Sequence, residues 1–329
     1  MKVFLTGATG FIGGHLLRAL LEAGAEVRCL RRAESLRRNL DGLDVEVVMG
    51  DLRDGDSLRI GLQGCEMVFH CAADYRLYSK NPDELYESNV EGTRNLLRAA
   101  SEAGAKRVVY TSSVGALGLN PDGSPADEEA PVTLEDMVGH YKRSKFLAER
   151  VADEWVEKGL PIVIVNPSTP VGEGDLKPTA TGQMIVDFLN RRTPAYVDTG
   201  LNLVDVRDVA LGHVRAAEKG RVGEKYILGN RDMSLQEIFL TLGGLTGLPA
   251  PKMKVPHWLP LCWAALDTGF SRLVGRTPGV PLEAVRLSRY KMYFDTSKAV
   301  RELGLPQTPI EEPLQRAVDW FSTNGYVTR

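Results

Sequence analysis

The chain has 329 residues, 43% of them apolar and 25% charged, with a net charge of −3. That balance is ordinary for a soluble globular protein, and it excludes a general electrostatic footprint for nucleic acid. With no apolar run of about 18 residues, no membrane-spanning helix is expected. The length suits one large or two ordinary domains. The cysteines at 29, 65, 71 and 262 show neither a CxxC pair nor metal-ligand spacing, so no metal site is expected and a reducing, cytoplasmic setting is. The first apolar run already begins at residue 3, which leaves no room for a signal peptide ahead of it.

Residues 3–6 read as a strand and lead into Gly7-Ala8-Thr9-Gly10-Phe11-Ile12-Gly13. Apolar residues at 12, 16, 17, 20 and 21 then mark a helix over 11–23, with Gly24 as its stop. Strands follow at 26–30, at 45–49 (running into Gly50-Asp51-Leu52) and at 67–71. A long helix is predicted over 82–103, closed by Gly104, then a strand at 107–111. A second long helix covers 138–158, closed by Gly159, and a sixth strand covers 161–165. This alternation predicts an α/β fold, a doubly wound parallel sheet of Rossmann type over residues 1–166. After residue 167 the alternation fades and Pro and Gly become frequent. Short elements at 204–217 and 225–228 read as a smaller C-terminal substrate-binding region, 167–329, with segments returning to the first domain. The apolar, aromatic stretch 255–275 reads as a buried or pocket-covering helix, because it lacks the Lys/Arg-rich polar face of a membrane-surface helix.

A strand, a glycine turn and a helix make a phosphate cradle. Glycine lets backbone approach a pyrophosphate, and the helix N-terminus offers unpaired N–H groups and a positive dipole end. Strand two ends in Cys29-Leu30-Arg31-Arg32. An acidic residue at that point takes the ribose hydroxyls of NAD, whereas a guanidinium pairs with the 2′-phosphate of NADP. Arg31 and Arg32 therefore favour NADP, with NAD the other choice. Ala72 and Ala73 close strand four, where small side chains let a cofactor lie against backbone, and His70 within that strand reads as core. Tyr141 and Lys145 stand four residues apart, on one helix face. A phenol is a weak acid near pKa ~10, and an adjacent ammonium would lower that value. Such a phenol suits proton exchange with a substrate oxygen. Thr111-Ser112-Ser113 closes strand five at the carboxyl edge of the sheet, where a hydroxyl can bond the same oxygen.

The GxxGxxG spacing at 7, 10 and 13, followed by Tyr141-Lys142-Arg143-Ser144-Lys145, resembles the extended short-chain dehydrogenase/reductase superfamily, that of the NAD-dependent epimerases and dehydratases. The resemblance covers nearly the whole chain, including Asp295-Thr296-Ser297-Lys298-Ala299. It implies catalytic roles for Ser113, Tyr141, Lys145 and Asn89. Cofactor contacts are implied at Gly7, Thr9, Gly10, Phe11, Ile12 and Gly13. Asp51 and Leu52 would meet the adenine, and Ala72, Ala73, Ser112, Pro167, Ser168 and Thr169 would complete the cofactor site. It also implies a homodimer formed through the two long helices.

Within the superfamily the nearest likeness is to the hopanoid-associated sugar epimerase group, with dihydroflavonol-reductase-like features. It rests on Asn166-Pro167-Ser168-Thr169-Pro170-Val171-Gly172, Lys177-Pro178-Thr179 and residues 195–204. Three departures matter. Asn202 stands where nucleotide-sugar epimerases carry a diphosphate-gripping arginine, and Leu117 stands where they carry a tyrosine. Val114-Gly115 follow the serine, where dehydratases need an Asp-Glu pair and 3,5-epimerising reductases a cysteine. The expected function is hydride transfer at a carbonyl or carbinol carbon of a small-molecule substrate, on a sugar or hopanoid-linked compound. A dihydroflavonol-type carbonyl reductase and a non-catalytic NADP-sensing regulator are the alternatives.

Overall fold

The computed structural model describes residues 1–76, 78–274, 279 and 282–328. Its first half runs β1 (Lys2–Thr6), α1 (Phe11–Glu22), β2 (Glu26–Arg31), β3 (Glu46–Met49), α2 (Gly55–Leu62), β4 (Met67–His70), α3 (Asp83–Tyr86), α4 (Gly92–Glu102), β5 (Arg107–Thr111), α5 (Gly139–Glu157) and β6 (Ile162–Pro167). The second half runs β7 (Thr169–Val171), α6 (Ala180–Leu189), β8 (Ala195–Tyr196), β9 (Gly200–Asp205), α7 (Val206–Lys219), β10 (Lys225–Leu228), β11 (Arg231–Ser234) and α8 (Leu235–Thr246). It ends with β12 (Met253–Lys254), α9 (Trp258–Val274), α10 (Leu282–Leu287), β13 (Lys291–Met292), α11 (Ser297–Leu303) and α12 (Glu311–Thr323).

One sheet has the order β10-β6-β5-β4-β1-β2-β3, and every neighbouring pair in it is parallel. Its central strands are apolar on both faces, as a sheet covered by helices on both sides requires. Val108, Tyr110, Ile162 and Ile164 pack with Leu96 and Leu97 of α4 and Ala148 and Val151 of α5. Val109, Val163 and Val165 face the other way, with Leu16 and Leu17 of α1 and Val209 and Ala216 of α7. Each such fully buried side chain contributes about 1.5–3 kcal/mol. The strand order reverses between β1 and β4, so the crevice at their carboxyl ends is where an open sheet of this kind takes a ligand.

Residues 225–228 return to the large sheet as its edge strand, β10. Three elements differ from the sequence reading. Residues 204 and 205 finish β9, and α7 begins at Val206, with the Asp205 carboxylate accepting the Arg207 N–H at 2.9 Å. The helix α2 was not anticipated. Two glycines and a weak apolar period hide it, and its start is fixed by Asp54 accepting the N–H groups of Asp56 and Ser57. The long helix expected over 82–103 is interrupted by a π turn at Glu87–Glu91. Such turns insert a residue and often sit at functional sites; this one carries Asn89.

The other strands form a small sheet ordered β11-β9-β13, with β7 also on β9, and a β12-β8 pair. Phe188, Phe239, Leu314 and Phe321 join α6, α8 and α12 into a separate core. The stretch 255–275, expected as a buried or pocket-covering helix, is not buried. As α9 it turns Ala264, Thr268 and Ser271 inward and leaves Trp258, Trp263 and Leu266 exposed. Gly275 lies outside the described residues. Among the described residues no helix is long and apolar enough to cross a membrane.

Two buried histidines tie the sheet to its helices. His70 meets the hydroxyls of Thr6 and Thr93, each at 2.9 Å, so it belongs to the core as the sequence reading had it. His213 Nδ1 donates to the Val209 carbonyl at 2.7 Å, which leaves Nε2 to accept from Thr111 at 2.9 Å. Burial lowers His213 from 6.5 to about 4 and His70 to about 3. The unfolded chain therefore binds more protons below pH 6.5, and stability falls as the pH drops from 6.5 towards 4. Thermal melts across that interval should show the decline, and His213→Gln should flatten it. An unchanged slope in the variant would remove His213 from the account.

Candidate active site

The crevice is built around Gly7. Its φ of +82° suits glycine, and a Cβ there would lie 2.6 Å from the Ala72 nitrogen, at the end of β4. A Cβ at Gly13 would collide with the Gly7 carbonyl oxygen, so the turn folds flat onto the start of α1. The Thr6 hydroxyl accepts the Ala72 N–H at 3.2 Å and joins β1 to β4 at this point. Gly10 is the N-cap of α1, which has no side-chain cap and no acidic residue in its first turn. An uncapped helix start facing a switch point carries free N–H donors and a positive dipole end. These features fit a dinucleotide's pyrophosphate. Thr9, Phe11 and Ile12 are half-buried around the turn. The buried Asn39 donates from its amide to the carbonyls of Thr9 and Gly10 at 3.2 and 3.1 Å. It comes from a separate loop, and no motif in the sequence singles it out.

At the end of β2, Arg31 turns its guanidinium to the carbonyls of Ala33 and Ser35 at 3.2–3.4 Å. Arg32 is exposed and pairs with Glu34 at 3.2 Å. Asp51 holds Arg53 through both carboxylate oxygens at 2.9 Å, and that guanidinium keeps its pKa low. Leu52 is buried against Gly92, at the start of α4. Ala72 and Ala73 are half-buried just past β4. The amide of Asn89 is occupied by protein: it accepts the Asp74 N–H at 2.7 Å and donates to the Asp74 carbonyl and the Ser144 hydroxyl, both at 2.9 Å. It thereby fastens the loop after β4 to α5.

Tyr141, Lys145 and Glu149 follow one another at four-residue spacing along the inner face of α5. Ser113 follows β5 and caps the short turn Val114–Ala116, its hydroxyl accepting the Gly115 N–H at 3.0 Å. Burial pushes the Tyr141 phenol up, while a hydrogen bond with Ser113 pulls it the other way. The lowering by Lys145 expected from the spacing is absent. The Lys145 ammonium points instead to the Thr111 carbonyl at 2.8 Å and lies over the Tyr110 ring, 5.2 Å from its centroid. Burial lowers Lys145 to about 8. Among the described residues Thr111 is its one hydrogen-bond acceptor. A buried ammonium with three donors thus has capacity for further acceptors, which fits the hydroxyls of a ribose.

The sequence reading missed Glu149, a carboxylate with no exposure at all. It accepts from Ser112 Oγ at 2.5 Å, from Asn166 Nδ2 at 2.9 Å and from Lys225 Nζ at 2.7 Å. Asn166 also donates to the Ser113 carbonyl at 3.1 Å. One side chain thus joins α5, β5, β6 and β10 beneath Ser113, and it assigns Ser112 to this network. Pro167 ends β6 and is buried, the Ser168 N–H donates to the Leu228 carbonyl at 3.0 Å, and Thr169 opens β7. Lys142, next to the tyrosine, is also buried. Its pKa falls to about 8, and its ammonium faces the Met292 sulfur at 3.7 Å.

On the opposite side, Asn202 is 1% exposed within β9. Its amide donates to Asp232 at 2.8 Å and its oxygen accepts the Asn230 N–H at 3.0 Å. Leu117 and Val114 lie in an apolar cluster with Ala126, Ile227 and Phe294.

The sequence model of the NAD dependent epimerase/dehydratase family matches residues 3–229. A provisionally named dihydroflavonol 4-reductase from Synechocystis sp. is 52% identical, over 98% of this chain and 95% of that one. Sterol demethylase protein B of Methylococcus capsulatus is 37% identical, over 99% of this chain and 100% of that one. The crystal structure of gox2253 superposes with a TM-score of 0.89 and 44% identity, covering 99% of both chains.

Glu149→Ala would remove the acceptor shared by Ser112, Asn166 and Lys225, leaving Lys225 with Asp153 at 3.7 Å, and unsatisfied buried donors cost about 1–3 kcal/mol. Urea denaturation should register that loss. A change below about 1 kcal/mol, the usual weight of a single neutral hydrogen bond, would contradict the network's role.

Proposed function

Because the chain belongs to the NAD dependent epimerase/dehydratase family and is an enzyme of the extended short-chain dehydrogenase/reductase type, we propose that it is an NADPH-dependent reductase. Its substrate would be a ketone or aldehyde on a largely apolar molecule. The observation that carries this reading is the state of the substrate side. Asn202 is buried and fully engaged with Asp232 and Asn230, so it offers no charge to a nucleotide diphosphate. Val114 and Leu117, which follow Ser113, are buried in an apolar cluster and supply no acid/base pair for dehydration. Two relatives support the same reading, one provisionally named a dihydroflavonol 4-reductase and the other named sterol demethylase protein B.

When bound, the reduced nicotinamide supplies hydride to the carbonyl carbon. Gly7, Gly10, Gly13 and the start of α1 would hold the pyrophosphate, and Arg31 the 2′-phosphate. Tyr141 keeps its proton at neutral pH, because a phenol's ordinary value lies near ~10 and desolvation pushes it further up. That is the state needed to protonate the carbonyl oxygen as the carbon is reduced. The Ser113 hydroxyl orients the same oxygen. Lys145 remains charged up to about pH 8, and its ammonium would hold the ribose hydroxyls of the cofactor.

Tyr141→Phe should lower turnover about 10²–10⁴-fold with unchanged NADPH affinity, measured by cofactor fluorescence; near-normal turnover would remove Tyr141 from this role. The reductive rate should fall as the pH climbs through about 8, as Lys145 loses its charge. A rate still rising at alkaline pH would exclude the assignment. Arg31→Ala should weaken NADPH binding about 10–100-fold, the weight of a charged hydrogen bond, and leave NADH binding nearly unchanged. Equal affinity of the unaltered protein for both cofactors would overturn the NADP preference.

A further inference from the structure

Helix α9 is built the wrong way round for a helix of the interior. A helix on a protein surface ordinarily turns its bulky apolar stripe to the core. Here the inward positions hold Ala264, Thr268 and Ser271, while Trp258 is 61% exposed, Trp263 67% and Leu266 71%. Leu259 and Cys262 extend the same open face. Small inward residues let α9 lie close to the body of the protein, and the bulky ones are left facing water.

The surroundings of this face are basic. Among the residues of 252–291 with described side chains, five are Lys or Arg (252, 254, 286, 289 and 291) and two are Asp or Glu, although the whole chain carries −3; Lys254 pairs with Asp198 at 2.9 Å. Arg286 of α10 and Arg289, in the turn after it, share a groove of about 430 Å³ with Leu261 and Ala265 of α9, together with Tyr290. Lys252 and Lys291 are exposed nearby in sequence. The helix by itself lacks the cationic flank of a membrane-surface helix. The fold supplies that flank from α10 and the turn after it, whose position could not be read from the helix alone.

We propose that the α9–α10 face is a docking surface for the anionic headgroup region of a phospholipid bilayer. Tryptophan and leucine would enter the boundary between headgroups and acyl chains, and the Lys/Arg rim would meet the lipid phosphates. A second copy of the chain fits less well, because a twofold contact sets each patch against itself and would bring the basic rims together. The groove also reaches Val138, the N-cap of α5, three residues before Tyr141. An apolar substrate leaving the bilayer would arrive beside the proposed proton donor. This inference rests on the apolar-substrate reading above, but binding to vesicles requires no turnover.

The test is co-sedimentation of the full chain with phosphatidylcholine vesicles, with and without one-third phosphatidylglycerol. The unaltered protein should bind the anionic vesicles, and its tryptophan emission should shift to the blue. Trp263→Glu and the double variant Arg286→Glu/Arg289→Glu should each weaken binding at least about tenfold, with cofactor affinity and melting temperature unchanged. Tyr141→Phe should still bind vesicles, which separates this proposal from the assignment of the reaction. Failure of the unaltered protein to bind anionic vesicles would overturn it, as would full binding by Trp263→Glu. A dimer in size-exclusion chromatography that Trp263→Glu splits, with vesicles left bare, would assign the face to a second copy and overturn it as well.

Discussion

The site depends on a carboxylate held out of water. Glu149 has no exposed surface and is satisfied by Ser112, Asn166 and Lys225. A buried charge is tolerated when it is paired and hydrogen-bonded, and it is costly once a partner is lost. The carboxylate therefore tolerates little movement of α5 relative to β5, β6 and β10. Lys145 and Tyr141 lie one and two turns before it on the same helix face, and Ser113 lies one residue beyond Ser112. The geometry of the hydroxyls and the ammonium at the crevice follows from how firmly that helix is pinned.

A second constraint meets the first across the crevice. The turn at Gly7 leaves no room for a side chain between β1 and β4, and Asn39 holds the turn's carbonyls from outside. The glycine turn and the pinned helix thus stand on either side of the point where the strand order reverses. Beyond Ser113, Val114 and Leu117 are buried in an apolar cluster, and Asn202 is buried and already hydrogen-bonded. A helix start with free N–H donors suits a large anionic cofactor, and uncharged residues beyond the serine suit a weakly charged substrate.

Much of this was legible in the sequence where the chemistry is local. The glycine spacing, the strand–helix alternation and the Tyr141–Lys145 interval are short-range patterns, and six strands of the sheet follow from them. What escaped depends on contacts distant in sequence. Glu149 is an unremarkable helical glutamate until residues 112, 166 and 225 come together around it. The edge strand at 225–228 looks like any short β run until β6 is beside it. Asn39 is a loop asparagine until it reaches the glycine turn. The effect of Lys145 on Tyr141 was misread because spacing alone does not give side-chain direction: the ammonium turns to the Thr111 carbonyl, and burial raises the phenol. The stretch 255–275 was misread for a similar reason, since apolar composition does not say which face points inward.

The central claim is net reduction, and the stoichiometry of the cofactor tests it most directly. The purified protein would be incubated with NADPH carrying deuterium at the transferable position, together with apolar ketones and, separately, nucleotide sugars. Mass spectrometry of the products should find one deuterium in an alcohol formed from a ketone, with one NADPH oxidised for each alcohol. Conversion of a nucleotide sugar to its epimer with no net change in the cofactor, and no reduction of any ketone, would contradict the account.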